Sequence, residues 1–429
     1  MSGLVFVIVA IFVIGYACIA LEAFTKVNKA AVALLMCVLC WTAYIFIPGH
    51  DLGTLPEGLG ETAETLFFLM GAMTIVEIVD ANGGFNFVRD TLKTRSKRKL
   101  LWRMAFMTFL LSAILDNLTT SIVMIMVLRK LIQDRKERLI YASMVIIAAN
   151  SGGAFSPIGD VTTIMLWIKG MVTTGGVLTE LLLPSLVSMV IPAFLLSLSL
   201  KGKFDKAQNL QVADVSNFTK RQRQVVFYCG VGGLIFVPVF KTLTHLPPYM
   251  GILLVLGLLW TVTEIFNRKY EESDPMAKRV TQLLTRIDMS TILFFLGILM
   301  AVLCLKQVGV LNAVGDGLNV VFNGNPYLIT GIIGVLSSIV DNVPLVAACM
   351  NMYEVVPDTI YAVDGSFWQL LAYCAGVGGS MLIIGSAAGV VVMGLEKITF
   401  GWYMKKISWI VFVGYIAGIL VYALEKLFI

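Results

Sequence analysis

Charged residues are scarce in this chain. Only 14% of its 429 residues are Asp, Glu, Lys or Arg, while 58% are hydrophobic; an ordinary soluble domain has about a quarter charged residues. The mean hydropathy is +0.88. These values exclude an ordinary soluble enzyme and indicate an all-α polytopic membrane protein, because apolar segments of this kind cross a bilayer as helices.

Histidine is almost absent, and cysteine occurs without polar neighbours. The two histidines, His50 and His245, fall in or near predicted outer loops, and all seven cysteines lie in or beside apolar segments, where we expect free thiols. Cys37 and Cys40 form a C-x-x-C pair, but their apolar surroundings indicate a helix face and not a redox or metal site. We expect no cofactor.

A cleavable signal is also missing. The N-terminus has no basic segment followed by a small-residue cleavage site, so Leu4 to Ala20 is predicted to be a retained first span. The net charge of +5 and the pI near 8.7 could suggest a nucleic-acid partner. We expect none, because the basic residues lie in loops between hydrophobic spans, where membrane orientation explains them.

Ten segments are long enough for a membrane span, which needs about 20 apolar residues. They are about 4–21, 29–48, 64–81, 140–169, 180–200, 225–241, 249–267, 288–305, 366–395 and 406–428. Two further stretches, about 100–132 and 326–352, are too long for one crossing, and each is interrupted by an Asp-Asn pair. We predict that both are re-entrant hairpins with these pairs at their tips. Pro344 supports the second, since proline starts a helix well and interrupts one badly.

The basic residues predict the orientation. If the hairpins do not cross, 28 of the 32 Lys and Arg residues lie on one side, and only Lys169, Lys241, Lys306 and Lys426 lie on the other. The rich side is then cytoplasmic. Both termini are predicted outside the cytoplasm of a bacterial inner membrane.

The two halves of the chain match. Leu66-Phe67-Phe68-Leu69 is repeated as Leu293-Phe294-Phe295-Leu296, and each copy precedes an Asp-Asn pair by nearly the same distance. Residues 1–200 and 225–429 are each predicted to contain five crossings and a hairpin, with 201–224 as a cytoplasmic linker. An odd number of crossings inverts the second copy, which is the plan of secondary transporters with a site near the midplane.

Two motifs place a carboxylate in an apolar run, where a charge is costly and usually functional. Asp116-Asn117 lies in SAILDNLTTS, and Asp341-Asn342 lies in SSIVDNVPL. The alternative role for such an aspartate is a buried helix N-cap. Each motif is followed by a glycine-rich break that ends 43 or 44 residues after its aspartate, at Gly159 and Gly385.

The two breaks differ in chemistry. The first contains Asn150 and Asp160, followed by Thr162 and Thr163, whereas the second contains hydroxyls but no carboxylate. Carboxylate, amide, hydroxyl and backbone carbonyl oxygens are the ligands of a small hard cation. We therefore predict an asymmetric cation site at which a proton and a metal ion compete for one carboxylate.

A second acidic pair lies in the third span. Glu77 and Asp80 are three residues apart and share a helix face. They either mark the helix end near water or form a proton path to the site.

Four motifs together resemble the NhaD-type sodium/proton antiporters, which belong to an ion-transporter superfamily that also holds arsenite and dicarboxylate carriers. The motifs are GAMTIVEIVDANGGF, ILDNLTTSIVM, ANSGGAFSPIGDVTT and SSIVDNVPLVA, and the resemblance covers nearly the whole chain. It implies a transporter, not an enzyme, that exchanges cytoplasmic sodium or lithium for external protons by alternating access. It also implies a homodimer in which a transport domain moves against a scaffold, as in an elevator.

The resemblance implies an ion site with these candidates: Asp116, Asn117, Asn150, Asp160, Thr162, Thr163, Ser338, Asp341, Asn342, Ser380 and Ser386. Sodium would bind at Asp116, Asp160 and Asp341 with neighbouring carbonyls. One departure is Asn82, since a histidine often follows the Glu-x-x-Asp of the third span in that family. A histidine pH sensor inside the protein is therefore not expected.

Three other functions compete with this interpretation. An anion carrier for arsenite or a dicarboxylate would be repelled by the three aspartates. A passive cation channel would conduct without saturating exchange. An intramembrane aspartyl protease also uses two aspartates within the membrane, but its Tyr-Asp and Gly-x-Gly-Asp contexts are absent from this sequence.

Overall fold

The computed structural model of this chain describes residues 3–51, 53–85, 88, 91–92, 94–200, 202–204, 218–268 and 279–428. Within this part the chain is helical apart from turns, loops and an isolated bridge between Ser96 and Lys203. The predicted all-α class is therefore confirmed. Much of the predicted linker, residues 201 and 205–217, lies outside the described residues.

The helices follow one another through turns and short loops. In chain order they are α1 (Gly3–Ala20), α2 (Lys29–Tyr44), α3 (Thr54–Ala81), α4 (Lys97–Leu115), α5 (Asn117–Leu131), α6 (Arg135–Ala154), α7 (Val161–Ile168), α8 (Thr174–Glu180), α9 (Leu182–Ser199), α10 (Lys220–Thr244), α11 (Pro248–Asn267), α12 (Met289–Gln307), α13 (Val310–Phe322), α14 (Pro326–Ser337), α15 (Asn342–Met352), α16 (Ser366–Gly378), α17 (Ala387–Glu396) and α18 (Phe400–Phe428). Short helical turns lie at Glu22–Thr25 and Val280–Leu283, and α18 contains a π turn at Met404–Ser408.

Seven helices in the described part are long and apolar enough to cross a membrane: α1, α3, α9, α10, α11, α12 and α18. An eighth crossing results if α13 and α14, which meet at a bend of 119°, form one span. The protein is thus a multi-pass helical membrane protein. The other predicted crossings, at 29–48, 140–169 and 366–395, correspond to the 16-residue α2 and to the interrupted pairs α6–α7 and α16–α17.

Two features differ from the predicted segments. Helix α3 begins at Thr54, ten residues before the predicted span, because hydropathy marks the apolar part of a helix and not its end. Helix α13 was not predicted at all. Its 13 residues include Asn312, Asp316 and Asn319, so it is too short and too polar to resemble a span.

Helix packing divides the helices other than α13 into two groups, and α13 contacts helices of both. The first group contains α1, α2, α3, α10, α11 and α12, and the second contains α4 to α9 and α14 to α18. Helices α2 and α12 run side by side in the same direction, with Trp41 Nε1 donating to the Met300 carbonyl at 2.9 Å. A Cβ on Gly297 would lie 2.6 Å from the carbonyl carbon of Ala33, so these two backbones are in close contact.

Glycine brings two helix pairs of the second group into backbone contact. A Cβ on Gly152 of α6 would lie 2.2 Å from the Phe109 carbonyl oxygen of α4. A Cβ on Gly378 of α16 would likewise lie 2.2 Å from the Gly334 carbonyl oxygen of α14. Small residues allow membrane helices to approach this closely. The same contact therefore occurs once in each half, at an offset of 225 or 226 residues.

A serine bond accompanies each of these contacts. Ser112 Oγ donates to the Ala149 carbonyl at 2.6 Å, and Ser337 Oγ donates to the Ala375 carbonyl at 2.8 Å. Each serine lies four residues before its Asp-Asn pair. The bond fixes the last turn before each predicted hairpin tip against the helix that carries the following break.

Candidate ion site

Four helices begin at predicted site residues. At each start a side-chain oxygen accepts a backbone N–H from the first turn, which satisfies one of the unpaired amides of a helix N-terminus. The pairs are Asp116 with Thr119 N (2.8 Å, α5), Asp160 with Thr162 N (3.4 Å, α7), Asp341 with Val343 N (3.3 Å, α15) and Ser386 with Gly389 N (3.2 Å, α17). Three of the four caps are therefore carboxylates.

Asn150 joins the two breaks. Its side chain is fully buried, and its Nδ2 donates to Ser380 Oγ at 2.8 Å and to Ser386 Oγ at 2.9 Å. Its Oδ1 accepts from Asn117 Nδ2 at 3.1 Å. One amide thus connects α5, the end of α6 and the start of α17, as expected for residues of one site.

Asp160 is the most buried of the three aspartates, with 1% of its surface exposed. Asn342 Nδ2 donates to its Oδ2 at 3.4 Å, which links the first break to the tip between α14 and α15. Helix α16 also approaches this carboxylate closely, because a Cβ on Gly376 would lie 3.1 Å from the same oxygen. A side chain at position 376 would therefore crowd Asp160.

Asp116 joins α4 to α5 with an unusual backbone. Its φ of 71° and ψ of 158° lie in a region that is essentially restricted to glycine. Thr119 holds the carboxylate through both its backbone N–H and its Oγ1, each at 2.8 Å. Sequence reasoning missed Thr119, although an acid three residues before a threonine at a helix start is a capping signal. A cavity of about 20 Å³ lies beside Asp116 and is bounded by Phe68 and Val76 of α3.

Asp341 is held by a lysine that sequence reasoning assigned to a cytoplasmic loop. Lys29 Nζ lies 2.9 Å from Asp341 Oδ2 and 4.3 Å from the centre of the Phe294 ring. The two side chains of the ion pair are 23% and 16% exposed. The partners are 312 residues apart in the sequence. Counting basic residues in loops does not distinguish one lysine from another, so this ion pair could not be predicted from the sequence.

The remaining candidates lie nearby and form hydrogen bonds mainly with neighbouring parts of the chain. Thr162 and Thr163 are fully buried in the first turn of α7, and Thr163 Oγ1 donates to the Ala154 carbonyl at 3.5 Å. Ser338 Oγ donates to the Val335 carbonyl of its own helix at 2.7 Å. A Cβ on Gly385 would lie 2.6 Å from the Ser338 carbonyl oxygen, so the second break contacts the backbone at the end of α14.

The three aspartates are neighbours but do not form one ligand cluster. Asp116 and Asp341 both lie within electrostatic range of Asp160. Among the described residues, however, no three His, Cys, Asp or Glu side chains are close enough to hold one metal ion together. A cation bound in this conformation would therefore use at most two carboxylates, together with amide, hydroxyl or carbonyl oxygens.

The acidic pair of α3 lies apart from these bonds. Glu77 Oε1 is 3.3 Å from Arg286 Nη1, and Asp80 is exposed at the helix end. This geometry favours a helix end near water. A proton path through the pair stays a prediction.

Residues 16–364 match the CitMHS family, which is described as citrate transporter. The match covers most of the chain, both Asp-Asn pairs and the first break. This chain belongs to the CitMHS family.

Several relatives of this CitMHS member are named as antiporters. It is 48% identical to sodium/proton antiporter 1 of Arabidopsis thaliana over 96% of this chain and 71% of the relative. It is 44% identical to sodium/proton antiporter 2 of the same plant, over 96% and 97%. It is 32% identical to the Na⁺/H⁺ antiporter NhaD of Alkalimonas amylolytica, over 97% and 90%. The predicted resemblance to NhaD-type proteins is confirmed, and the protein is a transporter and not an enzyme.

A larger cavity of this CitMHS protein lies between the two helix groups. It has a volume of about 170 Å³ and is lined by Thr62 and Thr65 of α3, Met165 of α7 and Met350 of α15, among others. Lys169 and Lys306, two of the four lysines predicted on the non-cytoplasmic side, also line it. Helices α7 and α15 are capped by Asp160 and Asp341, so this cavity lies along the helices that lead to the site.

Proposed function

We propose that this protein is a sodium/proton antiporter whose ion site is formed by the four capped helix starts and the Asn150 amide. The observation that carries the proposal is the chemistry of the caps. Helix N-termini hold a partial positive charge and by themselves suit an anion. An aspartate at three of the four starts reverses the sign, so the site favours a cation. The names of the plant and NhaD relatives support sodium and protons as the substrates.

An anion carrier is the second candidate, because the family as a whole is described as citrate transporter. The Ser386 cap and the amides of Asn117, Asn150 and Asn342 would suit a carboxylate. Citrate carries up to three negative charges, however, and the three aspartates would repel them. We expect no citrate, dicarboxylate or arsenite transport.

The exchange follows from competition for the carboxylates. A sodium ion binds the ionised form of an aspartate, whereas a proton neutralises it, so one carboxylate cannot hold both. We propose that lithium replaces sodium, and that cytoplasmic sodium leaves while external protons enter. Sodium, lithium and protons are cargo here, and no resident cofactor takes part.

Alternating access would come from movement of the second helix group against the first. The repeated contacts of Gly152 with Phe109 and of Gly378 with Gly334 support two inverted repeats, at 1–200 and 225–429, with hairpins at α4–α5 and α14–α15. The separate packing of the two groups supports an elevator-like motion. We further propose ten crossings, a cytoplasmic linker at 201–224, both termini outside the cytoplasm, a bacterial inner membrane and a homodimer.

The test measures sodium-dependent proton movement in everted vesicles with a pH-sensitive dye. Wild-type protein should dequench the dye on addition of sodium or lithium, but not potassium, citrate or arsenite. Asp116→Asn, Asp160→Asn and Asp341→Asn should each reduce the signal at least about tenfold, since each loses a charge that the cation needs. Asp316→Asn, at an exposed position of α13, is the matched control and should keep wild-type exchange.

Two results would overturn the proposal. Wild-type exchange in all three site variants would remove the proposed site. Citrate uptake by the wild-type protein without sodium-dependent proton movement would favour the anion carrier. Electrical recording distinguishes an antiporter from a channel. A channel would carry a sodium current that does not saturate and does not depend on exchange with protons.

A further inference from the structure

The ion pair between Lys29 and Asp341 lies where the two helix groups meet. Lys29 is the first residue of α2, in the first group, and Asp341 is the cap of α15, in the second. Their side chains are the contact between a helix end and a predicted hairpin tip.

The ammonium group is held in place by its surroundings. Asn28 caps α2 by accepting Ala30 N at 2.8 Å, and Ser290 Oγ of α12 donates to the same Asn28 oxygen at 3.0 Å. These two hydrogen bonds to the Asn28 side-chain oxygen fix the start of α2 against α12. The ring of Phe294, also on α12, then lies beneath the Lys29 ammonium at 4.3 Å, where a cation is favoured.

Both oxygens of Asp341 are already engaged in this arrangement. Oδ1 accepts Val343 N at 3.3 Å, and Oδ2 lies 2.9 Å from Lys29 Nζ. A metal ion at the same carboxylate would lie within a few ångströms of the ammonium, and the two positive charges would repel each other strongly in a half-buried site. Sodium and Lys29 therefore cannot both bind Asp341 closely.

We propose that Lys29 is a tethered competitor of sodium: its ammonium neutralises Asp341 while the site is empty, and sodium must displace it to use this carboxylate. The inference rests on the proposed function for the identity of the cation. It assigns to Lys29 a positioning role that sets how much sodium is needed to load the site.

The test compares Lys29→Gln and Lys29→Arg with the wild-type protein. Half-saturating sodium is read twice, from dye dequenching in vesicles and from sodium-dependent thermal stabilisation of purified protein. Lys29→Gln removes the competing charge, so half-saturating sodium should fall by roughly fivefold, the scale of a partly exposed ion pair. Lys29→Arg offers a fork of donors to the carboxylate and is harder to displace, so the value should rise.

Lys26→Gln is the matched control. Lys26 is exposed three residues earlier, and the variant removes the same charge from the same segment without touching Asp341. It should keep the wild-type value. An increasing order of half-saturating sodium from Gln to Lys to Arg supports the proposal, and any other order overturns it. If Lys29→Gln does not fold, half-saturating sodium in Lys29→Arg that is equal to or lower than the wild-type value also overturns the proposal.

The two readouts separate this inference from the proposed function. Stabilisation by sodium in the expected order, without proton movement in the wild-type protein, would overturn the antiport and leave the competition standing. Sodium/proton exchange with half-saturation independent of residue 29 would overturn the competition alone, and would make Lys29 a structural residue.

Discussion

At the scale of single residues, Asp116 combines a costly backbone with a useful side chain. Its φ and ψ of 71° and 158° cost on the order of 1–3 kcal/mol for a residue other than glycine. Strain of this kind persists only where surrounding contacts impose it. Here the Ser112 bond to Ala149 fixes the chain before Asp116, and Thr119 fixes its carboxylate after the turn.

This strain gives a prediction about stability. Asp116→Ala and Asp116→Gly both lose the carboxylate and the cap, and both should lose transport. Only glycine relaxes the backbone, so Asp116→Gly should be more stable than Asp116→Ala by about 1–3 kcal/mol. Thermal unfolding of the purified variants measures the difference. Equal stabilities would contradict a strained Asp116.

The chemistry-bearing residues were predictable from the sequence to different degrees. Asp116 and Asp341 stand out because a carboxylate in an apolar run is rare, and Asn150 because it opens a glycine-rich break. Lys29 carried no signal, since its partner is distant in the sequence. Thr119 carried a weak one, because threonine is frequent at helix starts for structural reasons alone.

At the scale of helices, the contacts of Gly152 and Gly378 place the helices that carry the breaks against α4 and α14, the first helices of the predicted hairpins. Adding a methyl group at either position would drive it into a carbonyl oxygen 2.2 Å away. The backbone of a packed helix pair has little room to yield, so α4 must separate from α6, or α14 from α16.

We therefore expect Gly152→Ala and Gly378→Ala to destabilise the protein by about 1–3 kcal/mol each, the usual cost of overpacking, and to impair transport. Gly232→Ala on α10 is the control, because a Cβ there meets nothing within 4 Å. That variant should be neutral, or more stable by up to about 1 kcal/mol through helix propensity. Thermal unfolding and vesicle transport give both values, and a neutral Gly152→Ala would refute the close packing of α4 on α6.

Helix interruptions were easier to predict than helix ends. The breaks after Asn150 and Gly376 are encoded by local glycine, proline and serine content, which acts within a few residues. The start of α3 at Thr54 and the presence of α13 were not predicted, because both segments contain polar residues. Hydropathy averaged over a span does not detect such segments.

At the scale of the whole molecule, Glu396 connects the two halves of the chain. Its carboxylate is fully buried and lies 2.8 Å from Arg129 Nε of α5 and 2.6 Å from Arg138 Nε of α6. Arg135 Nη2 also donates to the Lys397 carbonyl at 2.8 Å. Three arginines of the first half thus hold the end of α17.

Removing one partner of a buried ion pair leaves the other charge without compensation. Glu396→Gln should therefore lower the free energy of unfolding by roughly 3 kcal/mol. Glu354→Gln, at an exposed position, should leave it unchanged. Thermal unfolding of both variants in detergent tests the difference, and a silent Glu396→Gln would show that this ion-pair cluster is not needed to hold the halves together.

The general class was predictable from the sequence, because long apolar segments indicate membrane helices. The predicted internal repeat rests on the two Asp-Asn motifs, which lie 225 residues apart. The division into two helix groups was not accessible from the residues themselves, since it depends on which faces of apolar helices meet, and those faces are alike in composition.

The position of Lys29 outside the second helix group affects uncoupled transport, in which one ion crosses the membrane without exchange for the other. In the proposed elevator motion the lysine stays behind with α2, and an unloaded second group would leave with Asp116, Asp160 and Asp341 all uncompensated. Each bare charge carried through a region of low polarity is expensive. Bound protons or sodium neutralise part of this charge. Movement of the unloaded form would let one ion cross without exchange for the other, and this form is also the one for which movement costs most.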